Sequence, residues 1–489
     1  MADQHHMTST DIHAQKFELS STARTVLLST LGVGLLCLIF IYFKDDQFHT
    51  RFWTSILHNS IFFTGIALFA LFKYAVSVVA LGGWVVAFKR IWEAYAQFLL
   101  IGLVLLLILA GGLYMGYHHL YHWNDLGVRT SDKVIMGKSG FLNKNFFTLF
   151  TIVVMGVWIF LAKKIRSISL DEDVNGNASF SHHVQLRKYS SIALPVIGFT
   201  SAAFIWLWIM SLDAHWYSTM FAWYSSASLF VAMMALTIGI IIYMKSLGYL
   251  EEVTTEHLHD LAKFVFAFSI FWTYLWFSQY MLIWYSNVGE ETIYFRQRFD
   301  HYKVLYYGNL VLNFVLPFLL FMRNDTKRKV GTLIFVSMLV FFGHWLDFFQ
   351  MTKPGPLHTA HEIMAERSSI GELQTLETKP MEVHQAETKA SAEMTTPSGE
   401  KAAESTHEST SASEHSTTEN VHGEEMHETG HEASSDYTPG FTIPGLLDIG
   451  VLLGFLAGFL LFVFKEIGKA PLQAKNDPYY AESLHHHVQ

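Results

Sequence analysis

Ten long apolar runs separated by short polar stretches dominate the chain, near residues 23 to 43, 53 to 80, 95 to 117, 145 to 162, 191 to 212, 220 to 243, 263 to 285, 308 to 322, 330 to 349 and 446 to 464. A helix rises about 1.5 Å per residue and a hydrocarbon core is roughly 30 Å thick, so about 20 predominantly apolar residues make one crossing. The pattern predicts an all-α, polytopic membrane protein of about ten transmembrane helices. The eighth run, ending LVLNFVLPFLLFM, is short and holds Pro317, which predicts a kink or an earlier start. The first follows a polar arm with Lys16 and Arg24 and has no small-residue cleavage site before Lys44, as expected of a retained helix. The predicted organisation is an arm over 1–22, helices one to nine over 23–349, a long loop over 350–445, helix ten over 446–464 and a tail over 465–489.

Composition agrees with this class: 51% of residues are apolar and only 15% charged, too few charges for an ordinary soluble chain of 489 residues. The loop is the one break in composition. Residues 355 to 440 hold 17 acidic, 4 basic and 8 histidine residues in a Ser/Thr/Ala/Glu background. That is a net −13, so the −9 of the whole chain leaves +4 for everything else. A segment so poor in apolar side chains cannot bury enough surface to offset its ordering entropy, and disorder is predicted, with a solvated spacer favoured over a metal-buffering histidine tract. Lys and Arg number 19 on the side of both termini and 14 on the other, of which 5 sit in the long loop that the positive-inside rule discounts. Both termini are therefore expected in the cytoplasm and the long loop in the periplasm.

Cys37 is the only cysteine. It excludes an intramolecular disulfide, a C-x-x-C-H haem attachment and a thiolate set for an iron–sulfur cluster, and any such centre would belong to a partner.

Ionisable residues in or beside the apolar runs carry the candidate chemistry, because placing them in hydrocarbon is costly. Toward the outer face lie His58, Asp213 and His215 of SLDAHWYSTMF, His344 and Asp347 of GHWLDFF, and Asp448 of LLDIG. Toward the inner face lie Glu93 of KRIWEAY and His257, His259, Asp260 and Lys263 of EHLHDLAK. His344 and Asp347 are three apart and share a helix face, where an imidazole and a carboxylate can pair and exchange a proton. On the seventh run, about 100° per residue places Asp260, Tyr274, Ser278 and Tyr285 on one polar stripe with Gln279 beside it. These groups are candidates for a proton path, and equally for helix capping and interhelical hydrogen bonding. Trp206, Trp208, Trp216, Tyr217, Trp223 and Tyr224 near the outer ends fit an interfacial aromatic belt or the walls of a quinol pocket.

Several stretches together carry a family resemblance spread over nearly the whole chain: HNSIFFTGIALFALFKYAVSVVALGGWVVAFKRIWEA, GFLNKNFF, MSLDAHWYSTMFAWYSSASLFVA, HLHDLAKFVFAFSIFWTYLWFSQYMLIWYSNVGEET, LNFVLPFLLFMRNDTKRK and DPYYAESLHHH. The chain resembles the ActF-type, NrfD-like integral subunit of alternative complex III, a respiratory quinol:cytochrome c oxidoreductase. The resemblance implies two four-helix bundles plus two peripheral helices in a bacterial inner membrane, and no redox centre in this chain. It implies as partners a related NrfD-like quinol-binding membrane subunit, a periplasmic iron–sulfur subunit, c-type haem subunits, other small membrane subunits and lipids, with no nucleic acid. It further implies a part in proton translocation or conformational coupling, the alternatives being a direct quinol site near His58, Asp213, His344 and Asp347, or a pure scaffold. The acidic His-rich insertion departs from the family pattern and inherits no role from it.

Overall fold

The computed structural model describes residues 15–176, 180–364, 440–474 and 476–486, with the side chains of 126, 129 and 130 excepted. All regular elements among the described residues are helical. Ten helices are long and apolar enough to cross a membrane: α1 Ser21–Lys44, α2 Thr50–Val79, α3 Gly83–Met115, α4 Lys144–Asn175, α5 Ser181–Leu212, α6 Thr219–Ser246, α7 Thr255–Ser286, α8 Lys303–Phe321, α9 Val330–Met364 and α10 Leu446–Ile467. The chain is a multi-pass membrane protein.

Helices α3, α4, α5 and α7 extend well beyond the apolar runs that announced them. Their added turns are polar and are tied by ion pairs, such as Arg166 on α4 with Glu466 on α10 at 2.9 Å. An apolar run measures hydrocarbon thickness, whereas a helix continues for as long as something satisfies its polar turns. In α8 the start is indeed earlier, at Lys303, and a π-helical turn at Val311–Val315 precedes Pro317. Proline has no N–H to give to the carbonyl four residues back, and a widened turn is a common way to accommodate the loss.

Packing follows from which helices are apolar all round. Helices α2 and α6 are buried over most of their length, and each touches the other. Contacts run from α2 through α3 and α4 to α5 and back to α2, and from α6 through α7 and α8 to α9 and back to α6. Helices α1 and α10 pair and lean on α2. Their crossing is close because it is built on glycine: a Cβ on Gly34 would stand 2.4 Å from the Gly454 Cα. Val33, Leu36, Phe40 and Phe43 of α1 are exposed, the surface of a helix that meets lipid.

The terminal end of the bundle is where Lys16 bridges Pro471 and the Leu472 amide donates to the Gln15 carbonyl. Phe17 is buried there between Tyr249 and Phe464. At the distal end, the first part of the predicted disordered loop is helical. α9 continues as helix to Thr352 and the chain is helical again over 354–364. Lys353 is buried against Asp448, and Ala360 and Ile363 pack on Phe48, so apolar and ionic contacts anchor this stretch. Most of the predicted disordered loop, residues 365–439, lies outside the described residues.

Candidate functional site: two buried polar clusters

The distal cluster is centred on Asp347 of α9, which is fully buried. One carboxylate oxygen accepts from the Tyr224 hydroxyl, and the other from Ser228 Oγ at 2.8 Å and Trp272 Nε1 at 2.9 Å. Helices α6 and α7 thus supply three neutral donors, and no cation pairs with the carboxylate among the described residues. His344, also fully buried, lies one turn away on α9, and its Nδ1 meets the same Ser228 Oγ at 2.9 Å. The expected His344–Asp347 pair is therefore bridged by a serine hydroxyl. His344 Nε2 is buried with no partner among the described residues. Beside Tyr224, a cavity of about 20 Å³ is lined also by Tyr294, Arg298, Tyr306 and Gln350, and the Tyr306 hydroxyl and Arg298 Nε are buried there without a hydrogen bond. That space suits one water.

From this cavity the polar groups continue outward. Arg298 Nη2 pairs with Asp213 at 3.1 Å and its guanidinium lies over the Tyr294 ring. Burial pushes the Tyr294 hydroxyl above its ordinary range, the Arg298 charge acting against it. Asp213 and Tyr294 also line an open cleft of about 270 Å³ with His122, His215, His358 and Glu362. His215 is half exposed and pairs with Asp132 at 2.5 Å, not with Asp213. The His215 hydrogen bond holds the Asp132 carboxyl below the usual range.

His58 and Asp448 belong to a separate distal knot between α2, α9 and α10. His58 Nε2 donates to the Trp345 carbonyl at 3.0 Å, and Asp448 is shared by Arg51 at 2.6 Å and Lys353 at 3.7 Å. Lys353 also donates to Ser55 at 2.9 Å. These are buried structural ion pairs that tie α10 to α2.

At the terminal end, the chemistry is ionic. Glu93 accepts from Arg90 Nη1 at 2.5 Å and Ser169 Oγ at 2.6 Å, while Arg90 Nη2 pairs with Asp173. Lys89 Nζ pairs with Asp477 at 2.5 Å and stands 3.9 Å from Glu172. Burial drives the Asp477 carboxyl up, but the Lys89 ammonium beside it and the Tyr479 amide act together against burial, and the carboxyl is held below the usual range. Tyr74 donates to Ser169 at 3.4 Å, and a cavity of about 20 Å³ lies between Tyr74, Ser77, Lys89, His183 and Asp477. One turn before Ser77, Lys73 of α2 is buried with its ammonium 4.2 Å from the Phe264 ring centre, 5.5 Å from Trp84 and 5.7 Å from Trp92. Its one polar contact is Ser77 Oγ at 3.4 Å, and no carboxylate pairs with it among the described residues.

No protein-family model and no curated protein matches this chain.

The cluster around α7 differs from expectation. His257 caps the start of α7 through Thr254 and reaches Ser483 of the tail at 3.4 Å. Asp260 is held by Lys263 at 3.0 Å and by His486 at 2.8 Å, so it pairs with the tail and not with His257. His259 is buried with neither ring nitrogen bonded. The predicted stripe is not buried along its length: Ser278 is buried, but Tyr274 and Tyr285 are exposed at 62% and 82%. A serine at the edge of the buried face is covered by its neighbours, while a tyrosine a fraction of a turn away projects past them. The α7 residue that reaches Asp347 is Trp272.

Sequence reasoning missed Ser228 and Trp272 and read Tyr224 only as part of the aromatic belt or a pocket wall; all three are neutral and so cost little in an apolar run. It also passed over Lys73, although a lysine in the middle of a 28-residue apolar run is the signal that intramembrane charge provides. Arg298, Lys89 and Asp477 lie outside the runs and gave no sign of their partners. Among the described residues, no three His, Cys, Asp or Glu side chains gather in a way that could hold a metal ion.

Proposed function

We propose that this chain is an integral subunit, without a redox centre of its own, of a quinol:cytochrome c oxidoreductase of the alternative complex III kind, and that it conducts protons through two half-routes. The membrane is the bacterial inner membrane, with both termini cytoplasmic, a reading supported by the excess of Lys and Arg at the terminal end. Its partners in this reading are the quinol-binding NrfD-like subunit, a periplasmic iron–sulfur subunit and c-type haem subunits. The resemblance of the stretches quoted above supports the family.

The observation that carries the proton reading is the His344–Ser228–Asp347 relay. If Asp347 is ionised, Ser228 donates to it and His344 Nδ1–H donates to Ser228. If Asp347 holds a proton, that proton points at Ser228, whose own proton points at His344 Nδ1. The two arrangements differ by one proton passed from imidazole to carboxyl, with a second proton taken up at His344 Nε2 if the ring is to remain neutral. The water-sized cavity next to Tyr224 leads from this relay toward Arg298, Asp213 and the distal cleft. Its volume favours a water over a quinone ring, and so favours proton handling over a quinol site here.

The terminal half-route runs from Asp477 and Lys89 through the small cavity beside Tyr74 and Ser77 to Lys73. Between the halves, α6 carries Ser228 near the relay and Thr237, which accepts from Trp92 beside Lys73. Nine residues separate them, roughly 13 Å of helix. Leu229 to Leu236 are all apolar and buried, and Met233 and Met234 are inaccessible. A barrier of this length stops direct transfer, so coupling requires a rearrangement that wets it.

The test is proton release per quinol in the purified complex reconstituted in vesicles. Asp347→Asn and Lys73→Met should each keep quinol-to-cytochrome electron flow within about twofold of the parent if they cost no more than about 0.4 kcal/mol of barrier, while lowering proton output. Unchanged proton output in both variants would leave only an anchoring role.

A further inference from the structure

The face of α7 that carries His259 points to a ligand rather than to the proton routes. His259, Lys263, Phe266 and Ile270 follow one another at intervals of four, three and four, and so lie on one face of the helix. The short helix Asn324–Arg328, between α8 and α9, packs against this part of α7 and brings Lys327 and Arg328 to it. Lys263, Lys327 and Arg328 all act electrostatically on His259. Burial pushes the Lys327 amine below its ordinary range, and the charges of Lys263 and Arg328 push the same way.

One of these groups lacks what burial normally demands, and a second has no polar partner among the described residues. His259 is 2% exposed, and both its ring nitrogens are buried without a hydrogen bond. An imidazole carries at least one N–H in every protonation state, so a donor is left unsatisfied. Lys327 is 6% exposed, and its ammonium has no hydrogen bond or ion pair among the described residues, only the Phe266 ring at 5.6 Å. The carboxylates nearby are already engaged: Asp260 by Lys263 and His486, Glu256 by Arg328 at 3.0 Å, and Asp325 by Arg323 at 3.9 Å.

Below the cations the surface is apolar. Phe266 of α7 stacks on Phe318 of α8 at 5.7 Å, and Ile270, Leu319 and Met322 beside them are exposed. Lys327, the one cation of this group without a carboxylate partner among the described residues, and the unbonded His259 head an apolar surface between α7 and α8, at the end of two membrane-spanning helices. We propose that His259, Lys263, Lys327 and Arg328 bind the phosphate of an anionic phospholipid, whose acyl chain lies along Phe266, Phe318 and Leu319. A phosphodiester supplies the acceptors that His259 and Lys327 lack, and the apolar surface supplies the reason for a lipid over a free anion. A zwitterionic lipid would bring its own cation into a cluster that is already positive.

The full-length chain, purified in mild detergent, is titrated with phosphatidylglycerol or phosphatidylcholine and bound lipid is counted by native mass spectrometry. The parent should retain phosphatidylglycerol over phosphatidylcholine, and excess inorganic phosphate, having no acyl chain, should not displace it. Lys327→Gln should lower retention about fivefold, the effect of removing one cation near an anionic headgroup. Lys327→Arg should restore it. Circular dichroism establishes that each variant is folded; should Lys327→Gln fail to fold, Lys263→Gln at the exposed rim should give the same loss. Equal retention of the two lipids, unchanged retention in the folded charge-removal variants, or displacement by inorganic phosphate would each overturn the assignment.

Discussion

Asp347 and Glu93 are both buried carboxyl groups, at opposite ends of the helices, and the protein solves their burial in two different ways. Glu93 is neutralised: Arg90 contacts it, Asp173 shares the guanidinium, and Ser169 fills the remaining valence. Asp347 is only solvated, by the neutral donors Tyr224, Ser228 and Trp272. Protonating Glu93 would break its salt bridge to Arg90. Protonating Asp347 removes the one charge in its neighbourhood and turns around a hydrogen bond. A group that must gain and lose a proton belongs in the second kind of setting, and a group that must hold helices together belongs in the first.

Breaking the ionic cluster should have the largest effect. Arg90→Leu leaves Glu93 and Asp173 buried without a cation and should cost about 3–5 kcal/mol in SDS-titrated unfolding followed by tryptophan fluorescence. Asp347→Asn keeps size and one acceptor but presents an amide N–H₂ to donors, and should cost about 1–3 kcal/mol in the same assay. If the two variants cost the same, the distinction between a neutralised and a solvated carboxyl fails. Trp272→Phe deletes one donor to Asp347 and nothing of its charge, with an expected loss of about 1 kcal/mol.

The smallest effect belongs to the exposed Asp132–His215 pair at the distal surface. The folded protein holds the Asp132 carboxyl below its unfolded value of about 3.9, so the pair's contribution is complete above that value and disappears as pH falls through the lower folded one. With His215 half exposed, the contribution is at most about 1 kcal/mol. Unfolding measured from pH 5 down to pH 2 should show this loss in the parent and not in His215→Gln. An acid-labile step that survives in His215→Gln would come from the hydrogen bonds that the Val134 and Ile135 amides give Asp132, or from another carboxyl.

Much of the architecture was legible because hydrocarbon imposes a length and a composition on every crossing. Ten apolar runs became ten spanning helices, and the proline in the eighth run coincides with a widened turn. The polar continuations of α3, α4, α5 and α7 were not legible, since they depend on ion pairs with residues as distant in sequence as Arg166 and Glu466. His344, Asp347 and Glu93 stood out as costly residues in apolar runs. What each of them touches did not, because Ser228 and Trp272 look ordinary where they stand, and Arg90 reads as a boundary charge until Asp173 approaches it.

The amino-acid sequence by itself determined the class of the protein, the number and order of its crossings, and which ionisable groups had to be accounted for inside them, because those follow from transfer free energies along a single chain. Only the tertiary structure decided that Asp347 reaches His344 through a serine, that Lys73 is surrounded by aromatic rings, and that Tyr274 and Tyr285 face outward while Trp272 faces in. Those outcomes depend on how helices far apart in sequence rotate and approach, and helical periodicity fixes the angle between two residues of one helix without saying which way that helix turns.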